Sequence, residues 1–485
     1  MSERNLTLLT DLYELTMMQG YFHAKDANET VIFDAFYRTN PDGNGFAITA
    51  GLEQVVEYIE NLHFDKEDID YLRTTGLFGE DFLEYLSTFK FTGDIYAIPE
   101  GTVVFPREPL VKVIAPIMQA QLVETAILNI INHQSLIATK TSRIVHAARG
   151  DGVMEFGLRR AQGPDAGIYG ARAAMIAGCI GTSNVLCGQM FDVPVKGTHA
   201  HSWIMSFPDE LTAFRTYARL YPTACILLVD TYDTLNSGIP HAIQVFKEMR
   251  AEGISLTFYG IRMDSGDLAY LSKEAKKMLD AEGFTDAVIS ASNDLDETLI
   301  TSLKNQGATI NSWGVGTNLI TSKDCPSFGG VYKLAAIMDK KTGKFIPKIK
   351  LSENEEKITN PGNKTTYRIY GKDSHKVIAD IICLVGETFN EDEPLLLFDP
   401  IATWKKTLLA PGTYTMRELP VQVFKDGECV YHSPKVMDIQ KYCKEELNTL
   451  WDETKRLVNP HEVHVDLSKP LWDMKHELLD KYHFE

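Results

Sequence analysis

Cysteine is scarce in this chain and follows no pattern. Its 485 residues hold 7, scattered and odd in number, with no Cys-x-x-Cys pair. That excludes a disulfide-framed scaffold and a cysteine-ligated structural zinc, and it predicts buried free thiols in a reducing compartment. Long apolar runs are also missing, since no stretch stays continuously apolar over the roughly 20 residues of a membrane span. The start, Met1-Ser2-Glu3-Arg4-Asn5, leads into mixed polar and apolar residues without a signal-peptide core. The Asn-x-Thr matches at Asn5, Asn28 and Asn363 therefore read as chance. Positive charge is in deficit, with 48 Lys and Arg against 66 Asp and Glu, a net charge of -18. A duplex binder needs clustered cations to displace counterions, so nucleic acid is excluded as a partner. Phosphate chemistry is not excluded, because a few local donors or a divalent metal hold an anion inside an acidic protein. There is no internal repeat, low-complexity tract or long Gly/Ser linker. The expectation is a cytoplasmic protein with no membrane segment.

What is present is core. Hydrophobic residues make up 44% of the chain, and at roughly 100–200 residues per domain two or three domains are expected. Three textures divide it. Residues 1–147 read as an α+β domain: a helical pattern over Leu8–Met18, a strand at Val31–Tyr37, a turn at Asn40–Gly45 suggesting a hairpin into Phe46–Thr49, strands at Gly93–Ala97 and Leu110–Ile114, and a long apolar helix from Met118. Residues 148–340 alternate short apolar runs with helical patterns, the rhythm of a parallel α/β sheet or irregular barrel. The runs are Gly152–Phe156, Cys225–Asp230, Leu256–Arg262, Ala287–Ser290 and Ile310–Val315; Gly283 and Gly307 read as helix stops. Residues 341–485 are mixed and strand-rich, with a helix from about Lys435 and a charged tail.

In parallel α/β folds ligands bind where the strands end. The polar residues that end these runs should therefore share a face. Arg262-Met-Asp264-Ser265-Gly266-Asp267 is the richest segment. Ser265 and Gly266 offer backbone N–H groups to an anion, Arg262 a forked donor for a carboxylate or phosphate, and Asp264 a ligand for a metal or for sugar hydroxyls. The same segment also reads as an ordinary helix cap by Asp267. Gly314-Val-Gly316-Thr317 offers close backbone approach to a phosphate, or a plain tight turn. Asp230 and Asp233 end a very apolar strand, where two carboxylates could sit on a metal, orient a histidine or cap a helix. In Lys196-Gly-Thr198-His199-Ala-His201-Ser, an extended chain would point both histidines the same way. Only two ligands are visible there, so a nucleophilic histidine oriented by a carboxylate such as Asp230 fits better than zinc. Phe156 with Arg159-Arg160 could stack a planar ring and grip an anion.

Taken in order, Glu155-Phe-Gly-Leu-Arg-Arg160, Gly197-Thr-His-Ala-His-Ser202, Arg262–Asp267 and Gly316-Thr317 closely resemble the nicotinate phosphoribosyltransferase family. The resemblance runs from Thr10-Asp11-Leu12-Tyr13 into the third region. It implies an irregular, type II phosphoribosyltransferase-like α/β barrel with added domains, assembled as a homodimer with sites at the subunit interface. It implies that nicotinate and phosphoribosyl pyrophosphate become nicotinate mononucleotide and pyrophosphate, with Mg2+, and with ATP hydrolysis coupled through a phosphorylated histidine that matches His201. By position, Tyr13 and Phe156 match the rings that sandwich the pyridine; Thr198 and Arg262 match nicotinate contacts. Arg159 and Thr317 match positions near the phosphates of the ribosyl donor; Ser265, Gly266, Asn293 and Gly316 are candidate substrate-binding residues by their place at the strand ends. Asp230 and Asp264 match carboxylates near the histidine, ribose and metal. Ser183 stands where the nicotinamide-using relative has Asp, which would repel a carboxylate, so serine favours nicotinate. Two alternatives are quinolinate phosphoribosyltransferase, which loses carbon dioxide, and a non-catalytic metabolite-binding protein of the same fold.

Overall fold

Six parallel strands carry the middle of the chain in a computed structural model that describes residues 4–24, 28–354 and 357–483. Their order is Gly181–Thr182, Gly152–Glu155, Ser312–Val315, Val288–Ala291, Tyr259–Met263 and Cys225–Leu228. Every neighbouring pair is parallel. The five apolar runs of the sequence are all strands; the two-residue strand Gly181–Thr182 was not foreseen, being too short to show a period. A parallel bridge from Thr182 to Val195 carries the sheet one step further. The result is an irregular half-barrel.

Local chemistry explains why each strand is followed by a helix. Cys225–Leu228 and Ser312–Val315 are buried throughout, as strands covered on both faces must be. The helices begin at side-chain caps: Asn184, Asp209, Asp233, Asp267 and Asp296 each accept a backbone N–H three residues on, at 2.7–3.1 Å. Leu268–Ala281 and Glu297–Asn305 end just before Gly283 and Gly307, which have φ of +75° and +77°. The following N–H groups of Phe284 and Ala308 reach back to the carbonyls of Leu279 and Leu303, closing both helices with a left-handed turn.

The chain gathers into two compact units. One is residues 137–326 with 435–440, which contains the parallel sheet; the other is residues 1–136, 327–434 and 441–485. The second unit holds a seven-stranded antiparallel sheet with Thr30–Tyr37 near its middle, between Val111–Pro116 and Gly330–Met338. It also holds a four-stranded sheet of Tyr414–Glu418, Lys364–Gly371, Val377–Leu384 and His464–Leu467.

Four sequence readings change. The hairpin at Asn40–Gly45 does not form: Ala47–Ile48 pairs with Val103–Val104, because both edges of Thr30–Tyr37 are already taken. Gly330–Met338 was placed with the parallel rhythm but is an antiparallel strand of the other unit. The charged tail is ordered as the strand His464–Leu467 and the helix Lys469–His483, which bury Leu467 and Leu471. The first helix is Leu12–Ala24, starting later than its apolar pattern. Part of the N-terminal reading, Met1–Glu3, lies outside the described residues. Among the described residues no helix is long and apolar enough to cross a membrane.

Candidate active site

Asp230 is the junction of the site. It follows Cys225–Leu228, and its carboxylate is only 1% exposed. One oxygen lies 3.2 Å from His201 Nε2. The other accepts the N–H of Asp264 at 2.8 Å and the hydroxyl of Ser265 at 2.7 Å. One carboxylate thus ties the histidine segment to the Arg262–Asp267 segment. Asp267 caps its helix as the plainer reading held, while Ser265 bonds Asp230. Asp233 is purely a cap, on Asn236. Ser292, at the end of the next strand, donates its hydroxyl to Asp264 Oδ1.

The two histidines part company, contrary to the shared face expected of an extended segment. His201 opens the helix His201–Met205, and that change of backbone turns it away from its neighbour. His201 is 39% exposed. His199 is buried against Tyr217, with ring centroids 4.6 Å apart, and its Nε2 accepts the N–H of Leu228 at 3.3 Å. Burial, with the Arg262 charge beside it, pushes His199 down to about 4. It is a neutral packing residue at physiological pH.

Arg262 is held from the same segment. Its Nη1 donates to Thr198 Oγ1 and its Nη2 to the carbonyl of His199 at 3.1 Å, while Nε has no partner among the described residues. Burial lowers its pKa from the ordinary value, opposed by the nearby Asp264 and Asp230 carboxylates. A guanidinium stays charged under that pressure. Beside it lies a cavity of about 150 Å³ lined by Phe156, Thr198, Ile226, Ser290 and Ser312 among others. Gly314 makes room for the Phe156 ring: a Cβ there would come within 2.6 Å of it.

The remaining strand ends complete the rim. Glu155 is fully buried and accepts Thr182 Oγ1 at 2.6 Å and the N–H of Gly157. Burial raises its pKa. Its carbonyl takes the N–H of half-buried Ser183 at 3.0 Å, which binds two strand ends together. Arg159 is exposed on the turn Leu158–Arg160. Asn293 is exposed at φ +91°. Asn318 donates to the carbonyls of Asp294 and Leu295 at 2.8 and 3.2 Å, anchoring that loop beside Gly316 and Thr317. Gly266, at φ +80°, precedes the Asp267 cap. So Phe156, Arg159, Ser183, Thr198, His201, Asp230, Arg262, Asp264, Ser265, Gly266, Asn293, Gly316 and Thr317 all lie at or just beyond the ends of the parallel strands or on the Thr198–His201 segment. Tyr13 belongs to the other unit, exposed on Leu12–Ala24. Ser290, Ser292 and Ser312 escaped the sequence reading; a serine at alternate positions of an otherwise apolar buried strand was the available signal.

Comparison with known proteins follows the same motifs. The family model described as "Nicotinate phosphoribosyltransferase (NAPRTase) family" matches residues 152–365, with the family's N-terminal domain at 8–132 and its C-terminal domain at 363–475. The nicotinate phosphoribosyltransferase of Bacillus subtilis is 47% identical over 97% of this chain and 94% of its own length. The chain belongs to the nicotinate phosphoribosyltransferase family. The human member is 31% identical over 96% of this chain and 95% of its own length. A crystal structure of human nicotinic acid phosphoribosyltransferase superposes with a TM-score of 0.82, covering 97% of this chain and 100% of that one. The nicotinate-nucleotide pyrophosphorylase of Pyrococcus furiosus shares the fold, with a TM-score of 0.69 at 22% identity over 92% of this chain and 97% of that one. As a family member the chain is an enzyme with the expected α/β half-barrel and flanking N- and C-terminal domains.

Proposed function

We propose that the chain transfers the phosphoribosyl group of phosphoribosyl pyrophosphate to nicotinate, giving nicotinate mononucleotide and pyrophosphate in NAD salvage. The observation that carries this is the cavity beside Arg262: Phe156 and Phe258 in its lining, no carboxylate there, and the half-buried guanidinium of Arg262. Nicotinate is flat, apolar on both faces and anionic at one edge. The pyridine nitrogen forms its bond to the anomeric carbon as the carbon–oxygen bond to pyrophosphate breaks, and the electron pair leaves with pyrophosphate. Such a displacement passes through an oxocarbenium-like state, so the protein has mainly to position and to stabilise charge. Phe156 stacks the ring, Thr198 and Arg262 orient its carboxylate, and Arg159, Ser265, Gly266, Asn293, Gly316 and Thr317 hold the ribosyl donor. Tyr13 would cover the ring's other face from a second copy in a dimer.

Mg2+ enters as a companion of pyrophosphate. Among the described residues no three metal-ligating side chains gather, which suits an ion held by one carboxylate and mostly by substrate oxygens. Asp264, with one oxygen fixed by Ser292, fits that single-ligand role. The ion would neutralise the leaving group.

ATP coupling would run through His201. With Asp230 on Nε2, the ring proton is kept there and Nδ1 keeps its lone pair. Nδ1 would attack the γ-phosphorus of ATP, forming the N–P bond as ADP leaves. A pyrophosphate-release assay with nicotinate, phosphoribosyl pyrophosphate, Mg2+ and ATP tests the assignment, and no release above background would sink it. Labelled carbon dioxide from quinolinate would instead favour the decarboxylating alternative. Equal kcat/KM for nicotinate and nicotinamide would remove Ser183 as the discriminating residue.

A further inference from the structure

The antiparallel unit has a cavity of its own, of about 50 Å³. One side is the four-stranded sheet: Ile382 pairs with Leu467, and Val465 shares their face. The other is the helix Lys469–His483, which contributes Trp472, Lys475, His476 and Leu479. That spacing is a single helix face. Arg107 lines it from the turn between Val103–Val104 and Val111–Pro116. Among the described residues no carboxylate lines it. Asp466 stands between two lining residues but on the other face of its strand. Asp399, next to lining Pro400, is turned onto the N–H groups of Ile401 and Ala402, both at 2.9 Å.

The cations are individually placed. Arg107 has a φ of +77°, a left-handed conformation unfavourable for any residue with a Cβ. The turn is pinned there, because the N–H groups of Arg107 and Leu110 donate to the carbonyls of Tyr37 and Ala35 at 2.7 and 2.8 Å. Among the described residues the half-buried Arg107 guanidinium has no hydrogen bond or ion pair. Lys475 Nζ is directed by a neutral acceptor, Asn360 Oδ1, at 2.9 Å. The His476 ring stacks on Trp472 with centroids 3.6 Å apart, and its Nδ1 donates to the Trp472 carbonyl at 2.8 Å, which leaves Nε2 for a ligand. Trp472 is also approached by Lys469, 5.0 Å from its centroid, so its ring is already engaged. A ligand without a ring fits better. One water needs roughly 10–15 Å³, so the cavity admits a tetrahedral oxyanion. A guanidinium, an ammonium and an imidazole suit a dianion. We propose that this cavity binds a phosphate group, free or at the end of a small ester, on Arg107, Lys475 and His476. None of the residues at the parallel strand ends takes part.

The test is thermal denaturation of the full-length protein titrated with inorganic phosphate, and separately with glycerol 3-phosphate, at an ionic strength held constant with chloride. A ligand that binds only the folded state raises the midpoint by mass action. Arg107→Gly removes the guanidinium and relieves the left-handed backbone. Its midpoint without phosphate should hold or rise, while its phosphate affinity falls about tenfold or more, as for one lost charge-assisted bond. Lys475→Met should weaken binding likewise, and neither should change the KM for phosphoribosyl pyrophosphate. Phosphate bound at the parallel strand ends would contribute equally to all three proteins and cancel in the comparison. A response to inorganic phosphate identifies the free ion, and a stronger one to the ester identifies an esterified ligand; both support the site. An identical phosphate response in wild type and Arg107→Gly overturns the inference. So does a wild-type crystal soaked in tungstate whose anomalous density leaves the Arg107–His476 cavity empty, a result that does not depend on any variant folding.

Discussion

Arg368 in the antiparallel unit and half-buried Arg262 in the parallel unit are treated in opposite ways. In the antiparallel unit Arg368 is fully buried, and all three of its nitrogens meet carboxylates. Nε and Nη2 donate to Asp380 at 2.9 and 2.7 Å, and Nη1 donates to Glu446 at 3.1 Å. These charges hold its pKa well above the ordinary value, although burial opposes them. In the parallel unit Arg262 has two neutral oxygens for partners and one nitrogen with none, and burial lowers its pKa. A buried ion with its counter-ions in place is finished structure. A buried ion in contact only with neutral groups favours an anion that arrives from outside. The difference shows where to look for function: not at the most charged cluster, but at the one whose charge is left incompletely met.

Substitutions at four residues would break or sharpen that contrast. The largest loss of stability should come from Arg368→Met, which leaves Asp380 buried without its cation and Glu446 with Arg417 alone; about 3–5 kcal/mol is expected, read as a lower denaturation midpoint. Arg262→Ala should keep its midpoint but lose roughly a hundredfold or more in kcat/KM for nicotinate, about 3 kcal/mol at the transition state. Arg262→Lys should recover only part, because the fork is lost. An unfolded Arg262→Ala beside an unperturbed Arg368→Met would reverse the contrast and refute it.

His201→Ala should abolish stoichiometric ATP hydrolysis while slow transfer persists; coupled hydrolysis in that variant would contradict its role. The smallest effect concerns a buried carboxyl of the antiparallel unit. Burial, reinforced by Asp399, raises Asp466 from 3.8 to about 7. A folded pKa above the unfolded one means the folded state binds the proton more tightly. Stability therefore falls as pH rises from about 4 to about 7, and the penalty persists above. Asp466→Asn should exceed wild type at pH 8 and match it near pH 4, as measured by urea midpoints at the two values.

Much of the site was legible because strand ends in a parallel sheet obey a rule of place. The apolar runs before Glu155, Asp230 and Arg262 announced strands, and polar residues after them had to share a face. Less was legible where chain direction changes. Nothing local shows that His201 begins a helix while His199 stays buried, and the histidines' roles divide on that single turn. The hairpin at Asn40–Gly45 was misread because a turn signal says nothing about whether the neighbouring strand has a free edge.

By itself the sequence determined the alternation of strands and helices in the parallel unit, the side-chain caps that start several helices, the acidic balance and the family motifs, all of which depend on residues a few positions apart. Only the tertiary structure decided which charges are closed off and which are left open. Hydrogen-bond satisfaction and burial depend on groups far apart in the chain, and Arg368 and Arg262 look alike until their neighbours are known.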